Sequence, residues 1–389
     1  MTRPRIAVIG LGGISQSVHL PLLRRNADLL DLVAVVDASP SRAAGIAAAH
    51  GDGVLALDSI DALLAAVAAG ALRVDGAILA TTGSHAPDVA RLVAAGIKVL
   101  VEKPLAFSLA EIEQLRALAA DRGIDLAAWV RVGYMKEYDP ATLRAKKLLA
   151  EVTLRAVSVE VLHPADGAQL AFANLLPAPT DVPADTLAGF RAAATAGIVA
   201  AIGEPPAPLP ALYTNVVLGS VVHDIGLLRA LTGGIQTVDR ARHFAPQFPG
   251  SLSLGGNLAD DQGTPWSIDW HFIADYPEYR ETVTFHHETG SIALGFTVPY
   301  VLNSPTVLTV VTGAEPLGST RSESRWMQQE AFENELRAFA SLLAGRPRPG
   351  PSVTDGAADV AVGQLMIRAL AAGLGSPLPP GAEAEAATP

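Results

Sequence analysis

Ile6-Ala7-Val8-Ile9-Gly10-Leu11-Gly12-Gly13-Ile14-Ser15 is the stretch whose reading decides the fold. Four apolar residues, most of them β-branched, read as a buried strand; the glycines read as a tight turn, and the residues after them as the start of a helix. Gly10 permits the turn and Gly12 lets a ligand approach the backbone. The amides of Gly13 and Ile14, with the helix dipole, favour a negatively charged group such as a pyrophosphate. Ser15 stands where the usual dinucleotide fingerprint has its third glycine, and is small enough for close packing of helix on strand. A second apolar run, Leu32-Val33-Ala34-Val35-Val36, ends at Asp37, placed to hold a ribose 2′-hydroxyl. An acid there repels a 2′-phosphate and favours NAD over NADP, while Ser39, Ser41 and Arg42 offer the parts of a phosphate pocket.

Working outward, short apolar runs alternate with Ala/Leu-rich stretches up to about residue 128, the pattern of a parallel sheet covered on both faces. Further strands are expected at 76–80 and 98–101, and helices at 41–50 and 58–69. The chain of 389 residues is longer than one compact core usually covers, so two domains are expected. The first is a doubly wound domain at 1–129 and the second spans 130–372. A Pro/Ala/Glu-rich tail at 373–389 reads as disordered. In the second domain Pro140 is suited to open a helix over 141–151. Strands are expected at 154–162, 266–272, 281–287, 291–296 and 307–311, and helices at 186–200 and 328–343. The Pro-, Ala- and Gly-rich region 164–210 reads as an insertion or lid. The fold class is α/β, with a large, mainly antiparallel open sheet in the second half.

Composition narrows the function classes. No uninterrupted apolar run approaches the ~18 residues that span a bilayer, so no membrane partner is expected. A formal net charge of −11 argues against nucleic acid as a partner. The absence of cysteine rules out thiolate zinc sites and thiol nucleophiles, and fits a reducing cytoplasm. His286-His287-Glu288 resembles a metal cluster, but adjacent strand residues point to opposite faces, so no metal site is expected. Small molecules and further copies of the chain are the expected partners.

The run Val99-Leu100-Val101-Glu102-Lys103-Pro104 ends a strand on an acid, a base and a proline, at the sheet edge where a nicotinamide would lie. With the glycine turn continued by His19-Leu20-Pro21, Ala80-Thr81-Thr82 with His85, 133–140, His223-Asp224 and Thr354-Asp355-Gly356, the chain resembles the glucose-fructose oxidoreductase/inositol dehydrogenase (Gfo/Idh/MocA) family from Ile6 to about Ala372. The resemblance implies a Rossmann domain followed by an α/β domain whose open sheet often mediates homodimer or homotetramer contacts. It also implies hydride transfer between NAD(P) and a hydroxyl or carbonyl carbon, often of a sugar or polyol. It adds Thr81, His85 and Glu102 to the cofactor-binding set of Gly10, Gly12, Gly13, Ile14, Asp37 and Lys103.

Oxidising a secondary alcohol needs a base for the hydroxyl proton and a group that stabilises the developing alkoxide. Lys103 suits the second need, since burial strengthens the field of an ammonium. On spacing alone Glu102 and Lys103 also read as an ordinary surface pair. His223, in a helical stretch, suits proton transfer at neutral pH. Many family members carry an aspartate four residues before this histidine; here that position is Gly219. Three readings stay open: His223 acts alone or with Lys103; Asp224, His163 or Tyr134 substitutes for the missing acid; or the site has left ordinary dehydrogenation. The last reading leads either to a nucleotide-binding protein without turnover or to a redox-neutral reaction with transient oxidation by bound NAD. Tyr134, Lys136, His163 and Asn215 are the candidate substrate-binding residues, with Glu137 beside them.

Overall fold

The computed structural model describes residues 3–165, 167, 170–244, 248–316, 318–346 and 348–378. Six parallel strands form the first sheet: β1 (Arg5–Ile9), β2 (Asp31–Val36), β3 (Leu55–Leu57), β4 (Gly76–Leu79), β5 (Lys98–Glu102) and β6 (Val130–Gly133), in the order β3-β2-β1-β4-β5-β6. The order reverses between β1 and β4, where such sheets open a crevice for a ligand. Register aligns Ile9 with Val36 and Leu79, and Leu79 with Val101, so Gly10, Asp37, Ala80 and Lys103 all leave the sheet at one edge.

The second sheet has eight strands: β7 (Leu154–His163), β8 (Arg240–Phe244), β9 (Ser251–Asn257), β10 (Pro265–Phe272), β11 (Arg280–His287), β12 (Gly290–Phe296), β13 (Val307–Ala314) and β14 (Gly318–Ser324). Their order is β14-β13-β12-β11-β7-β10-β9-β8, antiparallel except for the β7–β10 pair. Alternation gives one apolar face, with Val157, Val159, Ile268, Trp270, Val283 and Phe285 packed against the segment 212–232 and the helix Val353–Gly373. The other face carries Ser158, Glu160, Asp269, His271, Arg280, Thr282 and Thr284. His286 and His287 fall on opposite faces, the first exposed and the second buried.

Three differences from the sequence reading matter. The break expected after 129 cuts off β6, which pairs with β5 as the sixth strand of the first sheet. The helix Ala331–Leu343 and the start of Val353–Gly373 also pack on the first domain, through Phe332, Leu336 and Phe339 and through Val353, Ala357 and Val360. Finally, 212–232 is not one regular α-helix. Leu212–Val221 is π-helical and runs directly into the α-helix Val222–Thr232. By length and mean hydropathy, Leu209–Thr232 and Ala184–Ile202 are long and apolar enough to cross a membrane; most of the first is buried inside this fold. Of the expected tail, residues 379–389 lie outside the described residues.

Candidate active site

The dinucleotide edge fits the group it is expected to hold. Gly10 has φ +85°, and a Cβ there would stand 2.5 Å from the Ala80 carbonyl oxygen, so only glycine lets the turn pass the end of β4. A Cβ on Gly12 would meet nothing within 4 Å, which leaves room beside the turn for a pyrophosphate. Asp37 accepts hydrogen bonds from the amides of Leu11 and Ser39, both at 2.9 Å, and so ties the glycine turn to the end of β2. Ser15 donates to the Gly10 carbonyl at 2.5 Å, closing the turn from the helix side.

Two expected cofactor ligands have other primary work. Both ring nitrogens of His85, 1% exposed, face backbone carbonyls, Pro104 O at 2.6 Å and Thr81 O at 2.8 Å. His85 therefore braces the loop after β4, including Thr81, against the one after β5. The Glu102 carboxylate meets His19 Nε2 at 2.9 Å, joining β5 to the helical segment behind the glycine turn. Burial alone would raise the Glu102 pKa, but the His19 hydrogen bond and charge, with Lys103 and His85, hold it below the ordinary value. Glu102 is thus an anion beside the lysine.

Lys103, following β5 and joined to Pro104 by a cis peptide, sends its ammonium to the carbonyl oxygen of Gly219 at 2.6 Å. The position lacking the family's aspartate contributes a backbone oxygen to the lysine instead. Burial, against the opposing pull of Glu102, lowers the Lys103 pKa, and the charge of Lys136 lowers it further. His223 lies one turn beyond Gly219, and its buried Nδ1 has no hydrogen-bond partner among the described residues. Burial and the ammonium groups of Lys103 and Lys136 push its pKa well below 6.5, so the imidazole is neutral at neutral pH.

Lys136, 4% exposed, is held by Glu281 and by Asp224 at 3.5 Å, with its ammonium 4.8 Å from the Phe296 ring centre. Tyr279 donates to Glu281 at 2.7 Å. Burial and the neighbouring Glu281 charge raise the Asp224 pKa well above the ordinary carboxylate value. Lys136 and the hydrogen bonds at Glu281 overcome burial there and lower its pKa. Two carboxyl groups whose pKa values are displaced in opposite directions therefore flank a single ammonium. His223, Lys136, Glu281 and Tyr279 line one pocket with Met135, Asp139, Phe296 and Phe332.

Of the expected site residues, Lys103, His223, Asp224 and Lys136 come together. Of these, His223 and Lys136 line the pocket, while Lys103 joins through the Gly219 carbonyl and Asp224 through the Lys136 ammonium; three other expected residues lie elsewhere. Tyr134 is 2% exposed in the core between the domains, its ring 5.5 Å from the Arg229 guanidinium. His163 packs against Trp270 and Tyr279, with ring centres 5.3 and 5.7 Å apart. Asn215 is exposed on the π-helical segment beside Thr214. Glu137 is bound to Arg229 at 2.8 Å and supports the domain joint. Sequence reasoning assigned no role to His19, Tyr279 or Glu281. His19 stood in the run that continues the glycine turn, and Glu281 carried a signal because it shares the inward parity of Val283 and Phe285 in β11, where a carboxylate is out of place unless paired.

Residues 4–128 match the oxidoreductase family model GFO_IDH_MocA, described as an NAD-binding Rossmann fold. The inositol 2-dehydrogenase of Rhizobium meliloti is 24% identical over 381 residues, covering 94% of this chain and 97% of its own. Among solved structures, the UDP-N-acetylglucosamine 3-dehydrogenase of Acidithiobacillus ferrooxidans superposes with a TM-score of 0.66 at 20% identity, over 96% of this chain and 99% of that one. A 3-ketoreductase from Actinomadura kijaniata, in complex with NADP and TDP-benzene, superposes with a TM-score of 0.66 at 18% identity, over 96% and 98%. The structural likenesses carry the two-domain fold, and the family model carries the dinucleotide edge on which Lys103 sits. The dinucleotide-binding half, residues 4–128, therefore matches the Gfo/Idh/MocA oxidoreductase family, and the chain over nearly its whole length is similar to an inositol 2-dehydrogenase.

Proposed function

We propose that this enzyme moves a hydride between the nicotinamide of NAD(P) and a secondary alcohol or ketone carbon of a sugar, cyclitol or related polyol. The observation that carries the reading is the meeting of the Lys103 and Lys136 ammonium groups with the neutral His223 imidazole, of which His223 and Lys136 line the pocket. The names of the relatives, an inositol dehydrogenase and enzymes acting at position 3 of nucleotide-linked or ketone substrates, support the substrate class.

The bound nicotinamide supplies the hydride acceptor or donor. In the oxidative direction His223, kept neutral by burial and two cations, takes the hydroxyl proton. The Lys103 ammonium, fixed by the Gly219 carbonyl, stabilises the alkoxide as it forms. Lys136 holds a second positive charge at the pocket wall, and Asp224 and Glu281 fix its position. In the reverse direction the same imidazole returns the proton.

The test is hydride transfer measured across a panel of cyclitols and keto-sugars with the native enzyme and Lys103→Ala. Turnover on at least one member, lost in the variant, is expected; cofactor binding without turnover on any polyol or keto-sugar would overturn the reading. Product formed without net NADH would redirect it to the redox-neutral route. We further propose that the polar face of the eight-stranded sheet joins copies of the chain into a homodimer or homotetramer. Light scattering on the eluting protein should give two or four chain masses, and a monomer at micromolar concentration would refute it.

A further inference from the structure

The insertion following β7 does not stay with its own domain. Residues 175–181 cross to the first domain and lie along the dinucleotide edge. Leu175 Cδ1 stands 3.5 Å from where a Gly13 Cβ would be, and the Leu176 amide donates to Gln16 Oε1 at 2.8 Å. Arg42 donates to the Pro177 carbonyl at 2.9 Å. At the end of this strap, Asp181 accepts from the Ser39 hydroxyl at 2.5 Å and from the Ser41 amide at 2.9 Å.

Ser39 caps the helix Pro40–His50, and Asp37, immediately before it, has its two oxygens on Leu11 and Ser39. Ser39, Ser41 and Arg42 are the groups the sequence offers to a phosphate on the adenosine ribose, and in the structure a carboxylate of the chain itself already has the first two. The Ser39 hydroxyl and the Ser41 amide hold the Asp181 carboxyl down to about 2, so it stays anionic across the working pH range. A 2′-phosphate would have to displace this anion and then face Asp37, whereas a 2′-hydroxyl has no charge to set against either carboxylate.

We propose that the strap at residues 175–181 selects the cofactor, with Asp181 occupying the hydrogen-bond donors that a 2′-phosphate would need, so that the enzyme takes NAD in preference to NADP. The inference rests on the NAD(P)-dependent reading above and adds a residue from the second domain to the specificity of the first. Asp181 is exposed and lies outside both the core and the catalytic pocket.

The experiment is calorimetric titration of NAD and of NADP into the full chain, Asp181→Ala and Asp181→Asn, with amide hydrogen exchange at Leu176 and Ser41 as a readout independent of turnover. The expected result is preference for NAD in the native protein. NADP binding tightens about tenfold or more in both variants, NAD binding changes less than about threefold, and amide protection is lost at Ser41. An unchanged NADP affinity in both variants would overturn the inference while leaving the oxidoreductase reading in place, as would an equal loss of NAD affinity, which would mean that the strap clamps the cofactor. Binding of neither dinucleotide by the native protein would remove the oxidoreductase reading and this inference with it.

Discussion

Lys103 sits at the end of a Rossmann strand with its charge anchored on a backbone oxygen of the other domain, which fixes what its replacement should do. Lys103→Met removes the charge while keeping much of the volume, and kcat should fall by ~10²–10³, the usual scale for losing one preorganised electrostatic group. Lys103→Arg should not rescue it, because a planar guanidinium cannot take the place of a point charge seated on the Gly219 carbonyl. A change in KM alone would make Lys103 a binding residue. The pH profile tests its neighbour. His223 must be neutral to accept a proton and its pKa lies well below 6.5, so the acid limb of kcat/KM should fall well below that value and vanish in His223→Ala. The alkaline limb should come in below 10.5, where a lysine with lowered pKa loses its proton. At this scale the sequence was informative wherever a motif surrounds the residue, as for Gly10, Asp37, Lys103 and His223. It placed His19 in a motif but gave it no partner, because Glu102 lies on a distant strand and the pair becomes visible only when β1 and β5 are brought into one sheet.

Between residues and whole domains, the helix Val222–Thr232 depends on one cation. Arg229 reaches Glu137 at 2.8 Å, Asp355 at 2.9 Å and Asp359 at 2.9 Å, tying the segment after β6 to this helix and to Val353–Gly373. Burial pushes the Glu137 carboxyl up to about 7 in spite of that guanidinium, and raises Asp359 as well. Arg229→Ala leaves buried carboxylates without their counter-charge, and should destabilise the fold by ~3–5 kcal/mol in urea titrations. Without the cation the folded-state pKa values rise further above the unfolded ones. The folded state then holds protons that the unfolded state has released, and stability falls as pH rises through the folded values. The loss should therefore be larger at pH 8 than at pH 6, and an equal loss at both would show that Glu137 is not titrating. Nine of the fourteen described strands were legible from their periods, whereas β3, β6, β8, β9 and β14 were not. The π-helical turn over Leu212–Val221 was not, because that stretch is apolar on nearly every side and an i→i+5 register leaves no separate period to read.

At the scale of the molecule, the first domain is not a continuous piece of chain. The helix Ala331–Leu343 covers one face of its sheet, with Phe339 at 0% and Leu336 at 2% exposure, and Gly76 gives it room, since a Cβ there would stand 2.7 Å from Leu343. The apolar face through Phe332, Leu336, Phe339 and Leu343 was readable in the sequence, but the surface it covers was not: amphipathicity says that a helix is buried, not against what. The same limit explains why β6 went unseen, a four-residue strand that binds by pairing with β5. A fragment ending at residue 133 keeps all six strands but exposes the apolar surface this helix protects, where each fully buried large side chain contributes roughly 1.5–3 kcal/mol. Such a fragment should show no cooperative thermal transition and should bind a hydrophobic dye, while fusing residues 331–373 to it through a flexible linker restores the transition. A fragment of residues 3–133 that melts cooperatively by itself would show instead that the Rossmann half is an independent domain and that the helix Ala331–Leu343 only docks on it.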